Sequence, residues 1–156
     1  MIIGIVAVDR KGAIGKRGKL PWHYSSDMKF FRETTIGHAV VMGRKTWVTL
    51  GKPLKNRLNI VLSRDSTIEP DESLLVLTDI DSVISLNNSL TTDLFVIGGA
   101  QIYSAFLPYI EKWIVTEVPL TISGADTFMP ESYLDGFKRV DSKPLDEGLV
   151  VKFYSK

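Results

Sequence analysis

The sequence predicts an α/β protein built on a mostly parallel sheet, and three features of its patterning carry that reading. Short β-branched runs recur at Ile2 to Val8, Ala39 to Met42, Leu58 to Leu62, Leu74 to Leu77, Leu94 to Ile97 and Trp113 to Val118. These runs are apolar almost without interruption, as strands are when helices cover both faces of a sheet. Helical or turn-rich segments separate them. The tail differs: Gly148 to Tyr154 partly alternates, which suits an edge or antiparallel strand.

Taken in order, Met1 to Val8 is apolar, has no basic leader or small-residue cleavage site, and ends at Asp9-Arg10-Lys11. It reads as a buried strand rather than a targeting segment. Gly12 to Pro21 holds glycines at 12, 15 and 18 and reads as a mobile surface loop. Ser25-Ser26-Asp27 signals a helix start, with Met28, Phe30 and Phe31 following on a helix to about Thr35. Gly37 supplies the stop. A weaker helix begins near Lys45. Another, opened by Asp79 or Asp81, covers Ile80 to Leu86. The fourth runs from about Ala100 to Leu107 and stops before Pro108.

The 156 residues, 44% of them hydrophobic, suffice for one substantial core, so residues 1–156 read as a single domain. Lys and Arg number 19 against 18 Asp and Glu, a formal charge of +1. Such a balance offers no global field for nucleic acid or an anionic membrane, so any anion site is local. There is no cysteine, which excludes disulfides, thiolate metal sites and a Cys nucleophile. His23 and His38 are too few for a metal centre. With no visible membrane span, a soluble cytoplasmic protein is expected.

Several segments carry candidate chemistry. In Leu94-Phe95-Val96-Ile97-Gly98-Gly99-Ala100 a buried strand meets a double glycine that opens a helix. Glycine there admits a ligand close to the backbone, and free helix N–H groups attract phosphate; a plain strand-to-helix turn explains the same residues. Gly43-Arg44-Lys45-Thr46 puts two cations and a hydroxyl at another helix start. It is no P-loop, because Gly37 lies one position too far away and Arg44 stands where the Lys belongs. A third strand delivers Ser63-Arg64 to what should be the same sheet edge, and open α/β sheets bind ligands at the carboxyl ends of their strands. Asp27 either serves the first turn of its helix electrostatically or faces an apolar cleft formed by Leu20-Pro21-Trp22 and Met28-Phe30-Phe31. In a cleft its pKa would rise by desolvation. Arg57 is either a surface residue before a strand or a planar fork for a carboxylate.

In their order these segments closely resemble dihydrofolate reductase, especially its bacterial form. The matching pieces are Ala13-Ile14-Gly15 with Leu20-Pro21-Trp22, Asp27 followed by Phe31, Val41-Met42-Gly43-Arg44-Lys45-Thr46-Trp47, Gly51-Lys52-Pro53-Leu54 with Arg57, Asn59 to Arg64, Val96 to Tyr103, and Thr116. They extend from the first strand to about Pro130. The resemblance implies a three-layer fold: a mixed, mostly parallel eight-stranded sheet, four flanking helices and an antiparallel C-terminal strand. It implies NADPH-dependent reduction of 7,8-dihydrofolate to tetrahydrofolate by hydride transfer to pterin C6 and protonation of N5, in a monomer that antifolates inhibit.

For the residues, the resemblance implies that Asp27 is the sole ionisable group in the pterin pocket, supported by Thr116, with Trp22 holding a water. Ile5, Val6, Ala7, Met28, Phe31, Leu50, Leu54, Ile97 and Tyr103 would form the walls, and Arg57 would hold the glutamate α-carboxylate. The NADPH set would comprise Ala7, Ile14, Gly15, Leu20, Gly43, Arg44, Lys45, Thr46, Leu62, Ser63, Arg64, Ile97, Gly98, Gly99, Ala100, Gln101, Ile102 and Tyr103. Arg44, Ser63 and Arg64 would lie near the 2′-phosphate, and Gly98-Gly99 would be a cis peptide. Residues Asp9 to Tyr24 resemble the family's lid, with Leu20 where many members have Met, and its closure would exclude water. Lys55 replaces a frequent proline, and Ala125 a frequent glycine ahead of Asp126, which would pair with the closed lid. Another reductase of the same fold, of riboflavin-pathway type, would need neither Asp27 nor Arg57. A nucleotide-binding module without turnover would not need Asp27, Trp22 and Thr116 together.

Overall fold

The computed structural model describes residues 1–17, 22–64 and 67–156. Its elements follow as β1 (Ile2–Val8), β2 (Ala13–Gly15), α1 (Ser25–Thr35), β3 (Ala39–Gly43), α2 (Arg44–Leu50), β4 (Leu58–Leu62), β5 (Leu74–Leu77), α3 (Ile80–Ser89), β6 (Leu94–Val96), α4 (Ala100–Phe106), β7 (Lys112–Glu117), β8 (Thr127–Phe128), β9 (Lys138–Pro144) and β10 (Val150–Ser155). Eight strands form one sheet in the order β5-β4-β3-β6-β1-β7-β10-β9. Neighbours from β5 to β7 pair in parallel, and β10 runs antiparallel to both β7 and β9.

The apolar runs become central strands because they are buried on both faces. Val40, Val41 and Met42 of β3 and Leu94 and Val96 of β6 are wholly inaccessible. Alternation splits β1 between the two faces of the sheet. Ile2, Val6 and Val8 join the cluster containing Val83, Tyr103, Phe106 and Trp113, while Ile3 and Ile5 join the one against which Phe31, Trp47 and Leu54 pack. Gly4 of β1 leaves room for the Trp113 ring, which its Cβ would otherwise overlap.

Two sequence expectations change, and one strand was not foreseen. Within the supposed loop Gly12 to Pro21, Ala13–Gly15 is a strand paired antiparallel with β8; Ala13 is fully buried, and three residues are too few to show a period. Helix α1 starts at the expected place but is not capped by a serine. Tyr24 occupies the N-cap position in an extended conformation with no side-chain cap bond. Lastly, β9 has every residue exposed and carries no apolar signal; it exists because β10 offers a free edge to pair with. Helix α3 fits its expected start, with Asp79 accepting the Ser82 N–H at 2.8 Å.

Candidate active site

The site is assembled where the carboxyl ends of β1, β3, β6 and β7 meet the amino end of α1. Parallel pairing puts Ala7 of β1 in register with Thr116 of β7. Thr116 is only 3% exposed, and its hydroxyl lies close enough to the carboxylate of Asp27, in the first turn of α1, to favour the ionised form. Asp27 is half-buried. Burial raises its pKa above the ordinary carboxylate value of 3.8, and the Thr116 hydroxyl opposes this only in part. The carboxylate thus lies near β7 while keeping its place in the first turn of α1. Ile5, Phe31, Leu54 and Ile97 pack in one cluster on this face, and Val6 and Tyr103 in the other. Met28 and Leu50, at 55% and 37% exposure, present apolar surface to solvent.

Two turns further along, α1 positions Arg57. The Thr35 hydroxyl donates to Phe31 O at 2.8 Å and accepts from Arg57 Nη1 at 3.0 Å, while Arg57 Nε donates to Lys55 O at 3.0 Å. Asn59, wholly buried on β4, shapes the same loop: Oδ1 accepts from Leu54 N, and Nδ2 donates to Leu54 O and Arg57 O, all within 2.9 to 3.0 Å. Burial first, and then the neighbouring Arg32 guanidinium, lower the pKa of Arg57. A cavity of about 410 Å³ opens here, lined by Arg32, Leu50, Lys52 and Leu54 among others. Of the two guanidinium groups only Arg32 lines it; Arg57 borders an adjoining hollow with His38 and Asn56. Sequence reasoning gave no role to Arg32, Lys52 or Asn59. Arg32 was readable from its spacing, since it lies four residues after Met28 on the helix.

Across the sheet, the ends of β3 and β6 are knitted together. Ile97 N donates to Val41 O at 3.0 Å, Gly43 N to Gly98 O at 2.9 Å and Tyr103 N to Gly99 O at 2.9 Å. The Gly98-Gly99 peptide is cis, as the resemblance implied, and Gly98 has φ of 119°. A Cβ at Gly99 would meet only Thr46 Oγ1, at 4.0 Å, so α2 and α4 open side by side onto accessible backbone. Arg44, Lys45 and Thr46 form the first turn of α2, and Ala100, Gln101 and Ile102 that of α4. Ser63 follows β4, its N–H donating to Leu77 O at 2.9 Å, and Arg64 is exposed beside it. Leu62 and Ile102 pack against the same cluster as Tyr103. Tyr103 donates its phenol to Ile5 O at 2.7 Å, and burial pushes its pKa far up, so it stays neutral.

Leu20 lies outside the described residues. Of the remaining lid, Ile14 packs on the core, Gly15 O accepts from Asp126 N at 3.2 Å, and Arg17 N donates to Asp126 Oδ2 at 2.8 Å. Asp126 is exposed, and the Arg17 N–H leads the interactions that lower its pKa. Ala125 does not prevent this contact; the positive φ falls on Gly124 instead, at 72°. Trp22 is half-buried, and its Nε1 has no acceptor among the described residues. No cluster of His, Asp or Glu among the described residues could hold a metal ion.

The chain as a whole has known relatives. The family model described as dihydrofolate reductase matches residues 1–153. A dihydrofolate reductase of Staphylococcus haemolyticus is 39% identical over 136 residues, covering 87% of this chain and 80% of the relative. That of Bacillus subtilis is 36% identical over 146 residues, covering 92% and 83%. Among solved structures, dihydrofolate reductase from Enterococcus faecalis complexed with NADP(H) and RAB-propyl superimposes with a TM-score of 0.89 at 31% identity, covering 99% of this chain and 95% of that one. With the family model spanning nearly every element from β1 to β10, the chain belongs to the dihydrofolate reductase family.

Proposed function

We propose that the chain carries out the reaction of its family, the NADPH-dependent reduction of 7,8-dihydrofolate to 5,6,7,8-tetrahydrofolate, in a pocket organised around Asp27. The observation that carries this reading is the half-buried Asp27 carboxylate, whose burial outweighs the nearby Thr116 hydroxyl, on the helix that carries Phe31 into the apolar cluster of Ile5 and Ile97. A pterin ring has a flat apolar body and a polar edge, and this pocket pairs apolar walls with one acceptor of matching kind.

NADPH, when bound, supplies the hydride. The residues fit it: the Gly98-Gly99 turn leaves open backbone between α2 and α4, and Arg44, Lys45 and Arg64 supply local positive charge in a chain of near-zero net charge. Arg44, Ser63 and Arg64 take the 2′-phosphate, while Ala7, Ile14, Gly15, Gly43, Leu62, Ile97, Ala100, Gln101, Ile102 and Tyr103 line the rest of the site. Ile5, Val6, Phe31 and Tyr103 hold the pterin flat against the nicotinamide. Asp27 accepts hydrogen bonds from the far edge of the pterin, and its charge raises the basicity of N5. Water fixed near Trp22 Nε1 delivers the proton. Met28, Leu50 and Leu54 flank the aminobenzoyl ring, and Arg57 grips the α-carboxylate with Arg32 close by.

Purified protein should oxidise NADPH only when dihydrofolate is added. Binding of both ligands without loss of the nicotinamide absorbance would overturn the assignment, and repeating the assay with NADH tests the role of Arg44, Ser63 and Arg64. Scattered exposed apolar side chains favour a monomer, and the absence of cysteine suits a reducing cytoplasm. Residues 1–156 act as one domain around the single large sheet. Antifolates that present a cationic ring edge to Asp27 inhibit the enzyme.

A further inference from the structure

We propose that Asp9 is a positioning residue of the lid, fastening its base to the segment after β7 so that lid and pocket keep their register. The inference rests on the reductase reading, since the lid matters only if it closes on a reaction. Asp9 directly follows β1, is 4% exposed, and takes no part in the proposed chemistry. Its Oδ1 accepts from Lys11 N and Ala13 N, and its Oδ2 from Ile122 N, each at 2.8 Å. One carboxylate therefore closes the turn that begins the lid and ties it to a residue 113 positions away.

The backbone repeats the tie. Asp9 N donates to Ala13 O at 3.1 Å, Arg10 N to Leu120 O at 3.0 Å and Val118 N to Val8 O at 2.8 Å. These bonds hold the ends of β1 and β7 together, two residues beyond the Ala7 and Thr116 pair that supports Asp27. Burial alone would raise the Asp9 pKa, but the N–H groups of Ile122, Ala13 and Lys11 outweigh it and hold the group below the usual carboxylate range. Asp9 is thus an anion at every working pH, with backbone donors facing both of its oxygens.

A second carboxylate, Asp126, ties the far side of the same segment through Arg17 N, yet Asp126 is exposed. Water competes for an exposed hydrogen bond and is excluded from a buried one. The two ties therefore differ: the Asp126 contact is open to water, whereas Asp9 is a buried post at the base of the segment. Loss of the post lets the lid close out of register, which slows the chemical step rather than weakening the binding of either ligand alone.

The test is Asp9→Asn, whose amide must turn a donor toward at least one N–H group. In folded variant, verified by circular dichroism, kcat should fall about tenfold with both KM values within about twofold, since small misplacement of reacting atoms costs rate. The isotope effect on kcat with C4-deuterated NADPH should rise. Trypsin should also cut ligand-free variant faster at Lys16 and Arg17 than wild type. Should Asp9→Asn fail to fold, Ile122→Pro decides: it removes the N–H given to Oδ2 and leaves Asp9 intact. A folded variant with wild-type kcat, isotope effect and cleavage rate overturns the inference, as does activity per folded molecule equal to wild type. Absence of turnover in wild type overturns the reductase reading instead, and the trypsin comparison still judges the post.

Discussion

Replacing Arg57 by Leu removes a planar cation while keeping some apolar bulk, and the cost is readable from its surroundings. Two of its five N–H groups are taken, by Thr35 Oγ1 and Lys55 O, leaving three without a partner among the described residues. A two-pronged grip on a carboxylate is therefore available without breaking any bond of the free protein. Because Arg57 is half-buried and Arg32 already crowds it, the pair lies between a surface contact and a desolvated one. Losing one partner of a desolvated pair costs roughly 2–5 kcal/mol; the open cavity favours the lower half, about 2–3 kcal/mol, or roughly 30- to 150-fold in affinity. The assay is the dissociation constant of dihydrofolate and of an analogue lacking the glutamate, for wild type, Arg57→Leu and Arg57→Lys. The Leu variant should lose affinity only for the intact ligand, with Lys in between because it keeps charge and loses the fork. An equal loss for both ligands, or none, refutes the placement of the carboxylate.

Asp27→Asn should lower kcat/KM at neutral pH by about 10²- to 10⁴-fold and recover part of it in acid, where substrate arrives protonated; equal activity at pH 7 would reject a role in protonation. The same substitution should stabilise the fold. The raised pKa of Asp27 means that the ionised form is disfavoured on folding, so its penalty is absent below pH 3.8 and accumulates as pH rises through the folded value. Calorimetric melting of the Asn variant should accordingly exceed wild type near pH 7 and converge with it in acid. Gly4→Ala should destabilise by about 1–3 kcal/mol, because its Cβ overlaps the immobile Trp113 ring, and so lower the melting temperature by roughly 2–12 °C. An unchanged melting temperature would show that β1 or Trp113 can yield.

The sequence disclosed elements in proportion to their burial. Strands β1, β3, β4 and β6 were legible because both of their faces are covered, which forces continuous apolar runs. The strand β9 was not, because Lys138, Arg139, Asp141 and Lys143 face water and its existence depends on pairing with β10. The pair β2 and β8 is too short to bear a period. At the site, Asp27 and Arg57 could be nominated by residue type, but their environments could not. The Thr116 contact depends on a register between β1 and β7 formed across more than a hundred residues, which no local pattern encodes. Resemblance to the family supplied that long-range information. It left Asp9 and Arg32 without roles, because each acts through neighbours that only the folded chain brings near.

Two half- or fully buried aspartates stand at the rim of one sheet, and their opposite behaviour follows from donor count alone. Burial pushes both carboxyls toward the neutral form. Asp9 meets three backbone N–H groups, which overcome that push, whereas Asp27 meets one hydroxyl, which does not. Stability contributed by Asp9 is present above the unfolded value and lost as pH falls through its lower folded one. Asp27 tilts the other way, its cost disappearing over the acid range. An acid already given three donors by its own backbone, and buried with them, has little left to offer a ligand; one left short of donors accepts them from a substrate edge. Supplying Asp27 with donors equal to those of Asp9 would make the fold more acid-sensitive and the pocket inert, so the deficit of hydrogen bonds at Asp27 is what makes it available for chemistry.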